Sequence, residues 1–353
     1  MNRFDRQYIL NGFGIEGQKK LRNASVLMVG AGGLGCPALL YLAAAGVGRI
    51  GVIDGDIVNV SNLNRQVLFG EKDLGKNKAE QAVRHFQDKY SDITWEIFPE
   101  FLTVQNAQEL IADYDLVIDG TDNFPTRYLI NDACLLHEKP FVFGAIYQHE
   151  GQVSVFNLGE NACNYRDVHP EMPGPTEIPN CAETGVLGVL PGIIGNLMAL
   201  EAIKVLSGYG QPLKNRMLYF NSLTSQTYEV EVTPKAESSA PDSWAVLENT
   251  DYQQACGAVK EMTWKEAMGK MNQNVAFVDV RELDELPPLV CTGLMKLPMS
   301  VIESQLDKLE DAEQILIFCQ SGMRSQKAAQ LLSETYPDKA VFSIKGGINS
   351  LKS

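Results

Sequence analysis

Two groups of residues in this chain have the types and spacing to do chemistry. The first opens at Gly30-Ala-Gly-Gly-Leu-Gly35, after the apolar run Ser25–Val29 and before an alanine-rich stretch from Cys36 to Ala45. Gly30, Gly32 and Gly35 stand at G-x-G-x-x-G spacing. With Gly33 they allow a tight turn, close approach of backbone to a phosphate, and close packing of helix on strand. A helix starting there presents free N–H groups and a positive dipole end to an anion. Roughly twenty residues later Asp54 closes the next strand, where an acid in a dinucleotide fold bonds ribose hydroxyls. Ser61-Asn-Leu-Asn-Arg-Gln66 and Gly75-Lys-Asn-Lys78 follow. An NAD(P)-dependent oxidoreductase needs the glycines and Asp54 but has no use for Arg65 and Lys78 beside the pyrophosphate. A triphosphate being cleaved does, because its oxygens must be neutralised as the bond to pyrophosphate breaks. Asp122, in Asp119-Gly-Thr-Asp-Asn123, falls just past the carboxyl end of a strand, where open α/β sheets bind ligands. A carboxylate there is placed to hold Mg²⁺.

The second group is Ile315-Leu-Ile-Phe-Cys319-Gln-Ser-Gly-Met-Arg324-Ser. It reads as a strand, a six-residue loop and a helix start. Loop N–H groups, the helix dipole and the Arg324 guanidinium all favour thiolate over thiol at Cys319. An unperturbed thiol is only a few per cent ionised near neutrality, so this environment matters for reactivity.

Each residue also has an ordinary role open to it. Asp54 could cap a turn, Arg65 and Lys78 could be solvated surface charges, and Asp122 could cap the following helix. Their joint order and spacing favour a site.

The elements that must position these residues alternate strand and helix. Strands are expected at Ser25–Val29, Arg49–Asp54, Thr94–Phe98, Asp115–Asp119 and Phe141–Gly144, with helices between them. That alternation argues for a doubly wound parallel sheet. Gln152–Phe156, Met217–Phe220 and Gln226–Val232 read as further strands, interrupted by one helix at Gly192–Leu206, so the sheet is expected to be mixed. Residues 234–258 read as a linker, opening with Pro234-Lys-Ala-Glu-Ser-Ser-Ala-Pro. A second βα pattern starts near Met262 and runs through Val275–Val280, Gln314–Phe318 and Ala340–Ile344.

The fold class expected is therefore α/β: a Rossmann-like mixed-sheet domain over residues 1–233 and a small α/β domain over 259–353. Acidic residues outnumber basic ones by 44 to 30, which argues against nucleic acid or an anionic membrane as partner. Seven cysteines are scattered with no framework spacing, and the N-terminus is too polar for a secretory segment. A reducing, cytoplasmic setting is the expectation.

With Arg3-Phe-Asp-Arg-Gln7 and Thr121-Asp-Asn added to the motifs above, residues 1 to 233 resemble the adenylyltransferases of molybdopterin and thiamine biosynthesis, bacterial relatives of ubiquitin-activating enzymes. The resemblance implies Mg-ATP as cosubstrate and, as partner, a small ubiquitin-like sulfur carrier ending in Gly-Gly. It implies that Asp54 holds the ribose, that Asn62, Arg65 and Lys78 hold the phosphates, and that Asp122 holds Mg²⁺. Arg6 would reach the triphosphate of a neighbouring subunit, implying a homodimer. Cys181 would be a loop cysteine able to take up the activated acyl group. Many relatives carry a zinc held by two Cys-x-x-Cys pairs; here Cys163-Asn-Tyr-Arg166 and the lone Cys256 are each one thiolate short, so zinc is not expected. The tail resembles a rhodanese domain through Asp279-Val-Arg281, the Cys319 loop and Gly346-Gly-Ile348, although Leu283–Ser300 departs from that pattern. The cysteine of that family carries a persulfide, loaded by a donor such as a cysteine desulfurase or thiosulfate. The combined expectation is adenylation of the carrier carboxylate followed by sulfur transfer from Cys319. A dehydrogenase and a non-catalytic carrier-binding scaffold are the alternatives.

Overall fold

The computed structural model describes residues 3–173, 185–235, 239–250, 252, 260–270, 274–282, 285, 287–289, 293–336 and 338–352. It divides into two compact units, one holding residues up to 173 and 178–252, the other 253–353 with 174–177.

In the first unit eight strands form one sheet in the order β3-β2-β1-β4-β5-β6-β7-β8. They are β1 Ser25–Val29, β2 Arg49–Ile53, β3 Thr94–Phe98, β4 Leu116–Asp119, β5 Phe141–Tyr147, β6 Glu150–Phe156, β7 Arg216–Asn221 and β8 Gln226–Glu231. The first five pair in parallel, with Val26 opposite both Ile50 and Leu116. From β5 onward the pairing is antiparallel, with Phe141 opposite Phe156. Every residue of β1 and β4 is buried, as central parallel strands require when helices cover both faces. The outermost strand, β8, is exposed throughout and carries Glu229 and Glu231, charges that discourage pairing with another chain.

The helix Gly35–Ala45 follows β1 and stops at Gly46, whose φ of 87° no β-carbon tolerates easily. The helix Val189–Ser207 is long and apolar enough to cross a membrane. It packs as a core helix, with Leu190, Ile194, Met198 and Ala202 fully buried. Its Gly195 lies so close to the Leu34 carbonyl that a β-carbon would sit 2.3 Å from that oxygen. Residues 244–252 fall in the stretch read as linker, yet Trp244–Asn249 is helical and Leu247 and Tyr252 are buried in the core of the first unit. Ahead of β1 the N-terminal arm forms two helices, Asp5–Tyr8 and Gly14–Asn23, separated where Gly12 and Gly14 take positive φ.

The second unit is a five-stranded parallel sheet, β11-β10-β12-β13-β9. Its strands are β9 Lys260–Met262, β10 Val275–Asp279, β11 Leu294–Lys296, β12 Gln314–Phe318 and β13 Ala340–Ile344. On one face Trp264, Phe277 and Phe318 pack ring against ring at 5.0–5.8 Å. The Trp264 indole N–H donates to the Gly347 carbonyl at 2.7 Å.

Candidate active sites

In the first unit strand order reverses between β1 and β4, which opens a crevice at their carboxyl ends. The glycine turn lines it, and its four glycines differ in what they permit. Gly30 has φ 91°, and Gly35 packs so tightly that a β-carbon would meet the Gly30 oxygen at 2.0 Å. At Gly33 a β-carbon would press on Pro191 at 3.2 Å. At Gly32 the nearest atom, Gln66 Nε2, would be 3.7 Å away, so no protein atom requires glycine there.

Asp54 faces the turn from the end of β2. Its Oδ2 accepts the Ala31 N–H at 2.8 Å and its Oδ1 accepts the Asp56 N–H at 2.9 Å. Burial pushes the Asp54 carboxyl above its ordinary value, against the pull of the Lys78 charge. Lys78 opens the helix Lys78–Gln87, capped by Asn77, whose side chain accepts the Glu80 N–H and donates to the Asp54 carbonyl. The Lys78 ammonium, its stem buried, rests 2.8 Å from the exposed Asp56 carboxylate. Arg65 donates to the Ser61 carbonyl at 2.9 Å and to Asn64 Oδ1 at 3.1 Å. Asn62 is buried and its Oδ1 accepts the Asn59 N–H, closing a short 3₁₀ turn. This loop abuts the start of the long helix, for a β-carbon on Gly188 would collide with the Asn64 oxygen.

Beyond β4, Gly120 packs against Gly30 and the exposed Asp122 follows. Asn123, not Asp122, caps the next helix, accepting the Thr126 N–H at 2.9 Å. The structure thus brings Gly30, Gly32, Gly33, Gly35, Asp54, Lys78 and Arg65 together, with Asn62 in the loop that carries Arg65 and Asp122 two residues past Gly120. Arg6 is exposed on the helix Asp5–Tyr8, and among the described residues no hydrogen bond or ion pair joins it to this group. Cys181, Cys256 and Cys291 lie outside the described residues.

Sequence reading missed two partners here. Asp56, two residues past Asp54, holds Lys78. Asp119 and Arg127 form a buried pair at 3.0 Å, and Arg127 also donates to the Thr121 carbonyl at 3.1 Å, bracing the segment that carries Asp122. The Thr121-Asp-Asn motif with an arginine four residues on was the available signal.

The zinc implied for relatives does not fit this donor set. Arg166, where a second thiolate would stand, instead grips Asp132 with two bonds at 2.8 and 2.7 Å. The Tyr252 hydroxyl donates to the same carboxylate at 2.7 Å. Cys163 donates to the Val232 carbonyl, and burial pushes its thiol up to about 11, away from the thiolate a metal needs. Among the described residues no group of three or more His, Cys, Asp or Glu side chains is arranged to hold a metal.

In the second unit Cys319 ends β12 and is buried, and its sulfur accepts the Gly322 N–H at 3.1 Å. Gly322 has φ 98°, and the helix Met323–Thr335 starts directly after it. Gly347 lets the C-terminal turn lie against the loop, since a β-carbon there would stand 2.3 Å from the Cys319 oxygen. The Asp279–Arg281 pair is buried at 2.8 Å behind the loop. Arg324 is hydrogen-bonded to Glu285 rather than to the cysteine, through Nη1–Oε1 at 2.5 Å and Nη2–Oε2 at 2.7 Å. Glu285 lies in the divergent stretch after Asp279-Val-Arg281 and was not read as a site residue.

A glycine turn at a sheet switch point with Lys78 and Arg65 beside it, and a cysteine loop on a separate parallel sheet, define a nucleotide-using transferase joined to a sulfurtransferase module. Residues 4–241 match the ThiF family and residues 263–353 the rhodanese-like domain, and the chain belongs to the ThiF family. It is 40% identical to the "Probable adenylyltransferase/sulfurtransferase MoeZ" of Mycobacterium tuberculosis, over 98% of this chain and 91% of that one. The sulfur carrier protein adenylyltransferase of Thermus thermophilus is 48% identical over 73% of this chain and 97% of its own. The adenylyltransferase and sulfurtransferase MOCS3 of Drosophila yakuba is 38% identical over 99% and 82%. Crystal structures of E. coli MccB share the fold of the first unit, one at TM-score 0.60 and 22% identity over 68% of this chain and 74% of that one. The protein is an ATP-using adenylyltransferase with a sulfurtransferase domain, which sets aside the dehydrogenase and scaffold alternatives.

Proposed function

We propose that the first unit activates the carboxy terminus of a small ubiquitin-like sulfur carrier ending in Gly-Gly, and that Cys319 supplies the sulfur. The observation carrying this reading is the crevice in which Gly32 leaves an open approach while Asp54, Lys78 and Arg65 converge on it. A carrier carboxylate oxygen attacks the α-phosphorus of ATP there. The bond to the β-phosphate breaks, and pyrophosphate departs with the electron pair. Asp54 holds the ribose, and Asn62, Arg65 and Lys78 hold the phosphates, Lys78 exchanging Asp56 for a phosphate oxygen. Neutralising that charge is the main catalytic contribution such residues make. Asp122 is the carboxylate assigned to Mg²⁺, which at nucleotide sites commonly takes one or two carboxylates and fills its shell with phosphate and water oxygens. The ion would neutralise charge on the triphosphate. Arg6, exposed and joined to its own crevice by no hydrogen bond or ion pair among the described residues, would serve the crevice of a second copy in a homodimer.

In the second half-reaction the outer sulfur of a Cys319 persulfide attacks the acyl adenylate, and AMP leaves. A persulfide extends the reach of the buried cysteine by about 2 Å, one S–S bond length. A second thiol, for which Cys181 is the candidate, attacks the Cys319 sulfur and releases the carrier thiocarboxylate. The disulfide left behind is reopened by a dithiol reductant. Carrying both centres on one chain raises the effective concentration of each at the other. The setting is cytoplasmic, in molybdopterin or thiamine biosynthesis or a related thiolation, with residues 1–233 and 259–353 as the working domains.

ATP–pyrophosphate exchange against a panel of Gly-Gly-ended carriers, with wild type and Cys319→Ser, tests this reading. Exchange is expected with one carrier and is kept by Cys319→Ser, which loses thiocarboxylate formation. Exchange with none of the carriers, or full thiocarboxylate formation by Cys319→Ser, would overturn it.

A further inference from the structure

Two guanidinium groups, Arg281 and Arg324, lie near the cysteine loop, and each is matched by a carboxylate. Arg281 is committed to Asp279, with its remaining N–H groups on the Pro287 carbonyl at 2.9 Å and Gln320 Oε1 at 3.3 Å. Arg324, in the first turn of the helix that follows the loop, is held by Glu285 in a two-bond fork. Parallel charge-assisted bonds of this kind fix geometry as well as charge. Glu285 is itself anchored, its Oε1 accepting the Glu282 N–H at 2.9 Å. The Arg324 hydrogen bonds hold the Glu285 carboxyl down to about 2, so the fork stays ionised at neutral pH. Glu282, beside it, adds a further negative charge.

The charge an incoming sulfur donor carries then decides how it is received. With thiosulfate, the Cys319 thiolate attacks the sulfane sulfur. The S–S bond breaks, and sulfite leaves as a dianion with the electron pair. Three negative charges meet in that encounter, and a free cation would ease it. With a protonated persulfide R–S–SH, the thiolate attacks the outer sulfur, the S–S bond breaks, and R–S⁻ leaves. One negative charge is present throughout.

We infer that Glu285 sets the sulfur-donor preference of the Cys319 loop: by holding Arg324 in the fork it withholds that cation from dianionic donors and favours a persulfide presented on another thiol. This rests on the reading of Cys319 as the sulfur-carrying residue. Arg324 acts here as a binding residue and Glu285 as the residue that positions it.

The test loads the full chain with thiosulfate or with cysteine persulfide and follows the gain of one sulfur atom on Cys319 by intact mass. Glu285→Gln is expected to raise kcat/KM for thiosulfate at least tenfold, chiefly through KM, and to leave cysteine persulfide loading within threefold. Adding Arg324→Gln to that variant is expected to remove the gain. A thiosulfate-to-persulfide ratio that Glu285→Gln does not move, in protein melting as a folded chain, overturns the inference. Should that variant unfold, Glu285→Asp, which keeps the charge but shortens its reach, is expected to give a partial gain, and no gain overturns it. Wild type that takes up sulfur from neither donor overturns the reading of Cys319 itself.

Discussion

Gly32→Ala separates the fold of the glycine turn from its ligand. A β-carbon at Gly32 would have Gln66 Nε2 as its nearest neighbour at 3.7 Å, an ordinary contact, and the residue lies outside the left-handed region. The substitution is therefore expected to change unfolding free energy by no more than about 0.5 kcal/mol. A β-carbon at Gly35 would instead lie 2.0 Å from a backbone oxygen. Overpacking of that severity costs about 3 kcal/mol or more. What the Gly32 methyl does fill is the approach to the crevice. ATP is expected to bind at least tenfold more weakly, a loss of about 1.4 kcal/mol or more. Urea unfolding and ATP–pyrophosphate exchange on the same preparations read the two effects separately. Gly32→Ala protein that exchanges with the wild-type KM for ATP would refute the placement of the phosphates against this turn.

Lys78→Met keeps the buried stem and removes only the charge, so exchange is expected to fall about 100-fold or more. Stability should change by less than about 1 kcal/mol, because the partner Asp56 is mostly exposed and such pairs contribute little. Asp132→Asn leaves the Arg166 guanidinium buried with no opposing charge and is expected to cost about 3–5 kcal/mol in urea unfolding. An unchanged midpoint would count against the pair as a structural tie. Glu285, lowered by Arg324 from 4.5 to about 2, stabilises the second unit fully above the unfolded value and loses that contribution as pH falls through the folded one. An acid titration followed by Trp264 fluorescence should show this loss between about pH 4.5 and 2, and Glu285→Gln should abolish it.

Four strands were legible to the residue: β1, β3, β12 and β13 start and stop where the sequence places them. Ends set by tertiary pairing were not. β5 runs on past Gly144 to Tyr147 because β6 continues to pair with it, although a glycine inside a strand pattern reads as a break. β9 and β11 are three residues each, too short for alternation to register. The helix Trp244–Asn249 was hidden by its proline- and serine-rich approach, although Trp244 stacks on His137 and Leu247 fills a core position. In the candidate site the sequence could nominate only residues that belong to contiguous motifs. It could not nominate their partners, because Asp56, Arg127 and Glu285 act through the charge they meet in space.

Arg166 shows how much such a partner can alter a local design. A zinc knuckle ties a departing segment to the body of a domain through four thiolates and one ion. In this chain the same neighbourhood is tied by a carboxylate, a guanidinium and a phenol. Asp132 receives Arg166 and Tyr252, Arg166 also reaches Ser239 at 3.4 Å, and Asp167 receives the Lys235 N–H at 3.0 Å. Residues 232 to 252 are thereby pinned at Val232, Lys235, Ser239 and Tyr252, the stretch leading toward the sulfurtransferase domain. A metal site fails as a whole when its ion is removed. An ionic network fails at whichever partner is lost, since the remaining charge is left buried. Replacing a thiolate by arginine is therefore tolerable only with a carboxylate already buried opposite it, and Asp132, fully buried on the helix Phe124–Leu136, meets that condition. Within this tie Asp132 is the carboxylate on which both Arg166 and Tyr252 depend.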